Sequence, residues 1–265
     1  MSYKIGFIGC GNMGGALVKA ATLSLSGEKI AVCDHNKEKT DILRDTYGVI
    51  PTTAEEIART CDFVILGVKP QSMQTALSAI AGILQGRASV ILVTMAAGLS
   101  IASLRAFAGK DFPVIRIMPN TPVTLGEGMV LYSADGVCQE NLSAFLSYFK
   151  GAGIFDCVAE EELDVGGAIS GCGPAFTYLF TEALIEGGKE LGLSEKQAEL
   201  YALQMVKGAA EMMLTYKNPA DLRRAVCSPN GTTLAGIAAM EEAGFTPSVK
   251  AAIKGAYKRT LELKR

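Results

Sequence analysis

The sequence has few of the residues on which many catalytic and metal sites depend. Its 265 residues include a single histidine, His35. Histidine is the commonest general base and a frequent zinc ligand, so a histidine-dependent mechanism or a site built from several histidines is nearly excluded. We expect no bound metal.

The chain has cysteines, but it lacks the closely spaced cysteine pairs of disulfide and zinc sites. The seven cysteines are scattered along the chain, their total is odd, and none belongs to a C-x-x-C motif. This pattern is typical of free thiols in a reducing compartment rather than of a disulfide framework or a zinc site. It predicts a cytoplasmic protein.

Excess charge and long apolar runs are absent as well. The formal net charge is −2, which argues against nucleic acid or an anionic membrane as the main partner. No uninterrupted apolar segment is long enough to span a bilayer, and the first residues carry neither the basic nor the apolar region of a signal peptide. With 49% hydrophobic and 20% charged residues, the composition is typical of a soluble globular protein.

What the sequence does have is a regular alternation of strand-like and helix-like segments over its first part. The predicted strands are 4–8, 29–33, 49–50, 63–66, 89–93, 113–118 and 128–132. The predicted helices between them are 13–20, 37–47, 54–59, 71–83, 100–107 and 139–150. Such alternation predicts an α/β fold with a doubly wound parallel sheet.

From about Glu161 the pattern becomes helical only. Apolar residues recur at helical spacing, and Ser194 with Gln197 resembles a capping box that opens a helix to about Tyr216. Further helices are predicted at 220–225, 232–243 and 246–263. We therefore predict two domains, residues 1–162 and an all-helical domain of residues 163–265, and expect its apolar helices to be partly buried against another subunit.

The most informative motif is the G-x-G-x-x-G of Gly9-Cys10-Gly11-Asn12-Met13-Gly14. Gly9 permits a tight turn, Gly11 allows a pyrophosphate to approach the backbone, and Gly14 lets the next helix pack close to the strand. The phosphates would lie on free N–H groups at the start of that helix. For a lone match an ordinary glycine-rich turn would be the better interpretation, but the strand before it and the helix after it favour a Rossmann-type dinucleotide site.

The second predicted strand ends in Asp34, where a Rossmann unit places the carboxylate that binds the adenosine ribose. Asp34 alone favours NAD, because a carboxylate repels the 2′-phosphate of NADP. The residues that follow are polar or basic and suited to that phosphate: His35, Asn36, Lys37 and Lys39. The residues alone leave both cofactors open.

Two further loops complete the predicted cofactor site, Val68-Lys69-Pro70 and Ala96-Ala97-Gly98. In a doubly wound sheet the ends of strands one, four and five line one crevice. Lys69 would point toward the phosphates or the nicotinamide ribose, and the small residues would let the ring lie close to the backbone. The alternatives are a solvated surface lysine and simple strand–helix packing.

The helical part carries Ser228-Pro229-Asn230-Gly231-Thr232-Thr233 before an apolar helix. Hydroxyls and unpaired N–H groups at a helix start form a pocket for a carboxylate or phosphate. An ordinary N-cap needs one Ser or Thr, whereas this segment has three hydroxyls and a glycine, which favours an anion site.

Two other segments have a structural interpretation as well as a functional one. The segment 170–175 (SGCGPA) is either a glycine-rich kink for close helix packing or a substrate-facing turn, and both can hold together. The segment 116–122 (RIMPNTP) is interpreted as structural, with Asn120 or Thr121 as candidates to face the site.

With these motifs the chain resembles pyrroline-5-carboxylate reductases over its whole length. The segments that carry the resemblance are GFIGCGNMG, GVKPQ, AAG, RIMPNTP, ELDVGGAISGCGPAF and, most specific, DLRRAVCSPNGTTLAGIAAME. The resemblance implies a Rossmann domain followed by a helical dimerisation domain, with homodimers assembled into a higher homo-oligomer. It also implies NAD(P)H-dependent reduction of L-1-pyrroline-5-carboxylate to L-proline, the last step of proline biosynthesis. NADP is the cofactor that it favours, with NAD as the alternative.

The resemblance also implies site residues. Those expected to contact the dinucleotide are Ile8, Gly9, Cys10, Gly11, Asn12, Met13, Val68, Lys69, Pro70, Ala96, Ala97 and Gly98. Those expected to hold the substrate carboxylate are Ser228, Gly231, Thr232 and Thr233. The Thr233 hydroxyl would lie near the ring nitrogen as the catalytic group. A protonated cyclic imine is already electrophilic, so hydride delivery needs orientation more than a strong acid.

Two positions depart from the family pattern. Members often have glycine where Asn230 stands, which is harmless if that residue only shapes the turn. The loop 51–54 lacks the asparagine that many relatives place near the adenosine, which leaves that contact open.

Two rival functions remain. A β-hydroxyacid dehydrogenase has a similar fingerprint but needs a catalytic lysine on the long helix after the first domain, where this chain has none until Lys189. A non-catalytic dinucleotide sensor would not need the hydroxyl-rich segment 228–233.

Overall fold

A computed structural model describes residues 3–263 of the chain and contains an eight-stranded sheet. The strands are β1 (Tyr3–Ile8), β2 (Ile30–Cys33), β3 (Ile50–Pro51), β4 (Cys61–Leu66), β5 (Ile91–Thr94), β6 (Val114–Met118), β7 (Gly128–Asp135) and β8 (Gly153–Cys157). Their order is β3-β2-β1-β4-β5-β6-β7-β8, and neighbours are parallel except for the antiparallel pair β6–β7. The first six strands have the order of dinucleotide-binding doubly wound sheets, so the predicted fold class is confirmed.

The helices follow the strands in chain order. They are α1 (Asn12–Thr22), α2 (Lys37–Tyr47), α3 (Ala54–Thr60), α4 (Met73–Gln85), α5 (Ile101–Ala108), α6 (Gln139–Tyr148), α7 (Glu162–Ser170), α8 (Gly173–Glu190), α9 (Glu195–Tyr216), α10 (Pro219–Ala225), α11 (Thr232–Glu242) and α12 (Phe245–Glu262). Strand β8 is the one element of the sheet that the sequence pattern missed. It lies at the sheet edge and is half-buried or exposed along its length, so its residues show no apolar run.

Two apolar cores fill the two faces of the sheet. Successive residues of β4 alternate between them: Phe63 and Ile65 belong to one core, and Val64 and Leu66 to the other. The first core takes in side chains of α1 and α6, and the second takes in side chains of α3, α4 and α5. Burial on both faces explains why the parallel strands carry runs of consecutive apolar residues, such as Phe63–Leu66, rather than one apolar residue at every second position.

The chain divides into two compact units. The first contains the described residues up to Cys172 together with those from Gly255 onward, and the second is Gly173–Lys254. The division at Cys172 differs from the predicted boundary at residue 162, because α7 packs on the sheet. A Cβ on Gly166 would overlap Leu131 of β7, and one on Gly167 would come within 2.8 Å of Met118 of β6.

The second unit is helical throughout, as predicted. The capping box that opens α9 is present, since the Gln197 N–H donates to Ser194 Oγ (3.4 Å) and the Ser194 N–H donates to Gln197 Oε1 (3.2 Å). Among the described residues of this unit, the buried side chains are few and small: Thr181, Ala198 and Ala202. Large apolar side chains are instead exposed along its helices.

Candidate functional site

Three predicted loops meet at the carboxyl ends of β1, β4 and β5. The strand registers place Ile8 beside Leu66 and Leu66 beside Thr94, so the loops start from neighbouring positions. The Gly67 N–H donates to the Ile8 carbonyl (2.8 Å), and the backbones of Gly9 and Gly67 touch. The predicted grouping of these loops is confirmed, whereas their contact with a dinucleotide stays a prediction.

The three glycines of the fingerprint are needed for different reasons. Gly9 has φ +99°, and a Cβ there would lie 2.6 Å from the carbonyl carbon of Gly67. A Cβ on Gly14 would overlap the Gly9 carbonyl oxygen, so close packing of α1 requires this glycine. A Cβ on Gly11 would meet nothing within 4 Å. Packing therefore explains Gly9 and Gly14, whereas Gly11 borders open space that fits an approaching pyrophosphate.

The start of α1 suits an anion. Gly11 occupies the N-cap position and supplies no side chain to cap the helix, and the first turn holds no acidic residue. The N–H groups of the first turn are the unsatisfied donors that an α-helix leaves at its start, and the helix dipole favours negative charge there. Asn12 and Met13 lie in that first turn.

Asp34 holds the fingerprint turn in place. Its carboxylate accepts the Cys10 N–H (2.7 Å) and the Asn36 N–H (2.9 Å). Desolvation would raise the pKa of Asp34, but these backbone donors, with the Lys39 and His35 side chains, lower it below its usual value. The carboxylate is therefore ionised and almost fully buried, which gives it a structural role that the sequence did not predict.

The Cys10 thiol inside the fingerprint is not a reactive group. Burial, followed by the charge of Asp34, raises the pKa of this thiol to about 12. A thiol that stays protonated is a poor nucleophile. The contribution of Cys10 to the turn is its backbone N–H.

The other two loops differ in burial. Lys69 is exposed and forms no ion pair within residues 3–263, and Pro70 begins a short 3-10 turn that leads into α4. Ala96 is buried, and its N–H donates to Thr94 Oγ1 (3.2 Å). Gly98 has φ +78°, and a Cβ there would lie 2.9 Å from Leu263 Cβ. Packing therefore accounts for Ala96 and Gly98, and the exposed lysine remains available to a phosphate.

The hydroxyl-rich segment of the second unit forms a turn and then a helix. Asn230 is in the left-handed region (φ +59°), and the Gly231 N–H donates to the Ser228 carbonyl (3.0 Å). A Cβ on Gly231 would overlap Ser228 Oγ, so a larger residue there would force the Ser228 side chain to rotate. Asparagine tolerates the left-handed region, so Asn230 fits this turn.

No side chain caps this helix. Gly231 is the N-cap residue of α11 and makes no side-chain bond to it. The side chains of Ser228, Thr232 and Thr233 are exposed, and within the described part of the chain none of their hydroxyls has a hydrogen-bond partner. An ordinary N-cap would use one of them, so the free hydroxyls and free N–H groups favour the predicted anion site.

The two segments with open interpretations have packing roles, and whether either of them also faces the substrate stays a prediction. Asn120 is buried, donates from Nδ2 to the Ser170 carbonyl (3.0 Å) and accepts the Met129 N–H (3.0 Å). Gly171 and Cys172 separate α7 from α8, and a Cβ on Gly171 would lie 2.8 Å from the Gly167 carbonyl oxygen, whereas one on Gly173 would meet nothing within 4 Å.

A buried charged cluster escaped the sequence analysis. Arg116 on β6 pairs with Asp164 of α7 and with Glu160 (3.3 Å). A charged residue inside an apolar strand was the available signal, because such a group is buried only with partners. Its partners follow much later in the chain and no local pattern indicates them.

The described residues contain neither a metal-binding cluster nor a helix suited to cross a membrane. Within residues 3–263, no cluster of three or more histidine, cysteine, aspartate or glutamate side chains is arranged to hold a metal ion. Over the same range, no helix has the length and apolar character that crossing a membrane requires.

Comparison with known proteins matches each part of the chain to a family model. Residues 160–263 match a model described as pyrroline-5-carboxylate reductase dimerisation. Residues 4–98 match one described as NADP oxidoreductase, coenzyme F420-dependent.

Full-length relatives carry the same description. A pyrroline-5-carboxylate reductase of Corynebacterium melassecola is 38% identical over 264 residues, which is 98% of each chain. The crystal structure of a Plasmodium falciparum pyrroline carboxylate reductase with NADP bound is 30% identical and covers 99% of this chain and 98% of its own, with a TM-score of 0.90. The structure of a Coxiella burnetii pyrroline-5-carboxylate reductase is 30% identical over 100% of both chains, with a TM-score of 0.88.

Proposed function

The chain belongs to the pyrroline-5-carboxylate reductase family, and we propose that it reduces L-1-pyrroline-5-carboxylate to L-proline with NADPH, as the last step of proline biosynthesis. The observation that carries the proposal is the uncapped start of α11, with three free hydroxyls. A small carboxylate is the ligand that such a helix start recognises. The fingerprint turn of the first unit supplies the other requirement, a site for a dinucleotide.

The residues present fit the cofactor. Backbone N–H groups at the start of α1 would hold the pyrophosphate, and Gly11 leaves room for it. Lys69 would add a positive charge, and the loop 96–98 would lie against the nicotinamide. Bound NADPH supplies the hydride that the imine carbon receives.

The chain itself contributes orientation. The N–H groups of Thr232 and Thr233 and the hydroxyl of Ser228 would hold the substrate carboxylate. The Thr233 hydroxyl would then hydrogen-bond the ring nitrogen and fix which face of the imine receives the hydride. No strong acid is required, because a protonated imine is already electrophilic, and correct placement of the reacting atoms can supply much of the rate. A mechanism without a strong acid agrees with the scarcity of histidine in this sequence, whose one histidine follows Asp34.

NADP is the cofactor of the proposed reaction. The Asp34 carboxylate, which would repel a 2′-phosphate, is buried and bonded to two backbone N–H groups. Lys39 Nζ lies 4.0 Å from it and offsets its charge, and His35 Nδ1 lies 3.1 Å from it with the imidazole open to solvent. Partial neutralisation of Asp34 and a neighbouring lysine favour the 2′-phosphate, and we propose Lys39 as its main contact.

The dehydrogenase rival is disfavoured by its missing lysine. Lys189 lies in the last turn of α8, and its Nζ is 2.9 Å from Glu186 Oε1. This pairing raises the pKa of Lys189, so the side chain stays protonated and serves the helix end rather than a reaction.

The helical unit is proposed to pair with a second copy of the chain. An apolar groove of about 440 Å³ lies among α8, α11 and α12, with residues such as Phe176, Phe180, Met240 and Phe245 along it. A second exposed apolar surface runs along α9 and includes Leu200, Leu203 and Leu214. We propose the groove surface for the homodimer and the α9 surface for a higher homo-oligomer.

We also propose a cytoplasmic location. All seven cysteines are free thiols in the structure, including the exposed Cys138 and Cys157. Free exposed thiols persist in reducing compartments.

The test of function is NADPH oxidation by the purified protein with pyrroline-5-carboxylate, set against a panel of hydroxyacids with NADP. We expect turnover with the imine alone, and Thr233→Ala should lower kcat/KM about tenfold or more, since a hydrogen bond to a charged group is lost. Thr233→Ser should retain most of the activity, and Thr215→Ala, at an exposed threonine of α9, should match the wild type. Turnover of a hydroxyacid would favour the dehydrogenase, silence with both would favour a sensor, and full activity of Thr233→Ala would remove the role of its hydroxyl.

A further inference from the structure

The loop between β5 and α5 is held by hydrogen bonds to side chains that play no part in the proposed reaction. At its start, the Ala96 N–H donates to Thr94 Oγ1 (3.2 Å). At its end, the Ile101 N–H donates to Glu160 Oε1 (2.7 Å). Glu160 is distant in sequence, since it lies between β8 and α7. The helix start that follows the loop 96–98 is thus held by a carboxylate from another part of the first unit.

The Glu160 carboxylate is itself held by a buried arginine. Arg116 Nη1 lies 3.3 Å from Glu160 Oε1, and Arg116 Nη2 donates to Asp164 Oδ1. Arg116 is 2% exposed and Asp164 is 1% exposed. Arg116 also pairs with Thr94 in the register of β5 and β6. The arginine therefore lies beside Thr94, the residue before the loop, and is linked through Glu160 to Ile101, the residue after it.

Helix formation alone does not require Glu160. The N-cap of α5 is Ser100, whose Oγ accepts the Ser103 N–H (3.1 Å) and supplies the usual side-chain cap. Glu160 satisfies a different unpaired donor at this helix start, and its charge interacts favourably with the helix dipole. Burying the charges of Arg116 and Asp164 is costly unless they are paired. A second, remote bond to an already capped helix fixes where the helix begins rather than whether it forms.

We propose that Glu160, held by Arg116 and Asp164, is the positioning residue that sets the loop 96–98 against the nicotinamide of the cofactor. The inference rests on the proposed function only in taking NADPH as the molecule that this loop faces. When position 160 has no oxygen to accept the Ile101 N–H, the start of α5 and the loop before it gain freedom, and the loop no longer holds the ring at one distance. A displacement of about 1 Å at a reacting centre can lower the rate about a hundredfold.

The experiment compares Glu160→Ala, Glu160→Gln and Glu161→Ala. Glu161 is the matched control, because it lines the same small cavity as Ser100, Arg116 and Glu160 but makes no hydrogen bond within residues 3–263. The measurements on each full-length protein are the NADPH Kd from nicotinamide fluorescence, kcat and the imine KM, and the melting temperature. Glu160→Gln keeps an oxygen that can accept the Ile101 N–H.

We expect Glu160→Ala to lower kcat about tenfold or more and to weaken NADPH binding, with the imine KM unchanged. Glu160→Gln should recover most of both losses, and Glu161→Ala should match the wild type. A Glu160→Ala protein with a lower melting temperature but wild-type Kd and kcat would overturn the proposal, because that result indicates a purely structural role. Equal losses in Glu161→Ala would also overturn it.

The two proposals fail in different ways. If the wild type binds NADPH but does not reduce the imine, the proposed function is wrong, and the NADPH Kd of Glu160→Ala still decides the role of Glu160. If the wild type binds no NADPH, both proposals are overturned.

Discussion

The two units of the molecule bury their apolar side chains very differently. The first surrounds its sheet with two cores, and residues such as Phe7, Leu66 and Phe145 are fully buried or nearly so. The second contains four complete helices and most of a fifth, yet among its described residues the buried ones are Thr181, Ala198 and Ala202. The first unit therefore has its core within one chain, whereas the large apolar side chains of the second unit lie on its surface.

The difference indicates which unit depends on a partner. Monomeric proteins rarely expose contiguous apolar patches as extensive as those along α8 and α9. A second copy of the same chain would cover such a surface symmetrically. The first unit has the core it needs within one chain, and we infer that the second acquires its core on assembly.

Function is divided along the same line. The proposed cofactor residues lie on loops between buried strands and their helices, where the scaffold fixes them. The proposed substrate residues lie at an exposed helix start in the unit that needs a partner. Cofactor binding should therefore be insensitive to assembly, whereas imine reduction should depend on it.

The largest expected effect is on the free energy of unfolding, when a phenylalanine is replaced by alanine in each unit separately. Phe145→Ala removes a ring that packs 5.0 Å from Phe149 and 5.6 Å from Phe63, centroid to centroid, and should lower the free energy of unfolding by about 3–5 kcal/mol. Phe245 is 40% exposed in the apolar groove, so the loss of unfolding free energy in Phe245→Ala should depend on whether a second copy covers it. Urea unfolding at two protein concentrations measures both variants. The loss in Phe145→Ala should not vary with concentration, whereas that in Phe245→Ala should; the same behaviour in both would break the comparison.

A second prediction separates scaffold from binding inside the fingerprint. Gly9→Val forces a β-branched residue to φ +99° against the backbone of Gly67 and should destabilise the first unit by about 3 kcal/mol. Gly11→Ala projects into open space and should leave the melting temperature unchanged while weakening NADPH binding. Thermal melts with and without NADPH check both. An unchanged NADPH Kd in Gly11→Ala would show that the open space is not used by the cofactor.

The smallest of these effects concerns cofactor choice. Lys39→Gln should raise the KM for NADPH about tenfold and leave that for NADH nearly unchanged, because a charge-assisted hydrogen bond to the 2′-phosphate is lost. Lys29→Gln is the control, since Lys29 precedes β2 whereas Lys39 follows it. The imine KM should not change in either variant. Equal losses with NADPH and NADH would place Lys39 elsewhere in the cofactor site.

Sequence alone predicted the parts of this molecule whose signals are local. The fingerprint after β1, the bounds of α2 and the capping box of α9 follow from neighbouring residues and were predicted correctly. Strand β8 was missed because its residues are half-buried or exposed and therefore show no buried pattern. The Arg116–Glu160 pair joins residues 44 positions apart. A contact of that kind depends on how α7 packs on the sheet, and no periodicity encodes it.

The most direct test of the difference between the units is the association state of two charge-introducing variants. Leu125 of the first unit is 77% exposed and Leu179 of the second is 67% exposed, so in a single chain both changes to aspartate would be harmless. We predict that sedimentation equilibrium will find Leu125→Asp assembled like the wild type and Leu179→Asp dissociated to a monomer that still binds NADPH. An assembled, fully active Leu179→Asp protein would contradict the account, because it would show that the apolar face of the helical unit is not covered by a second copy.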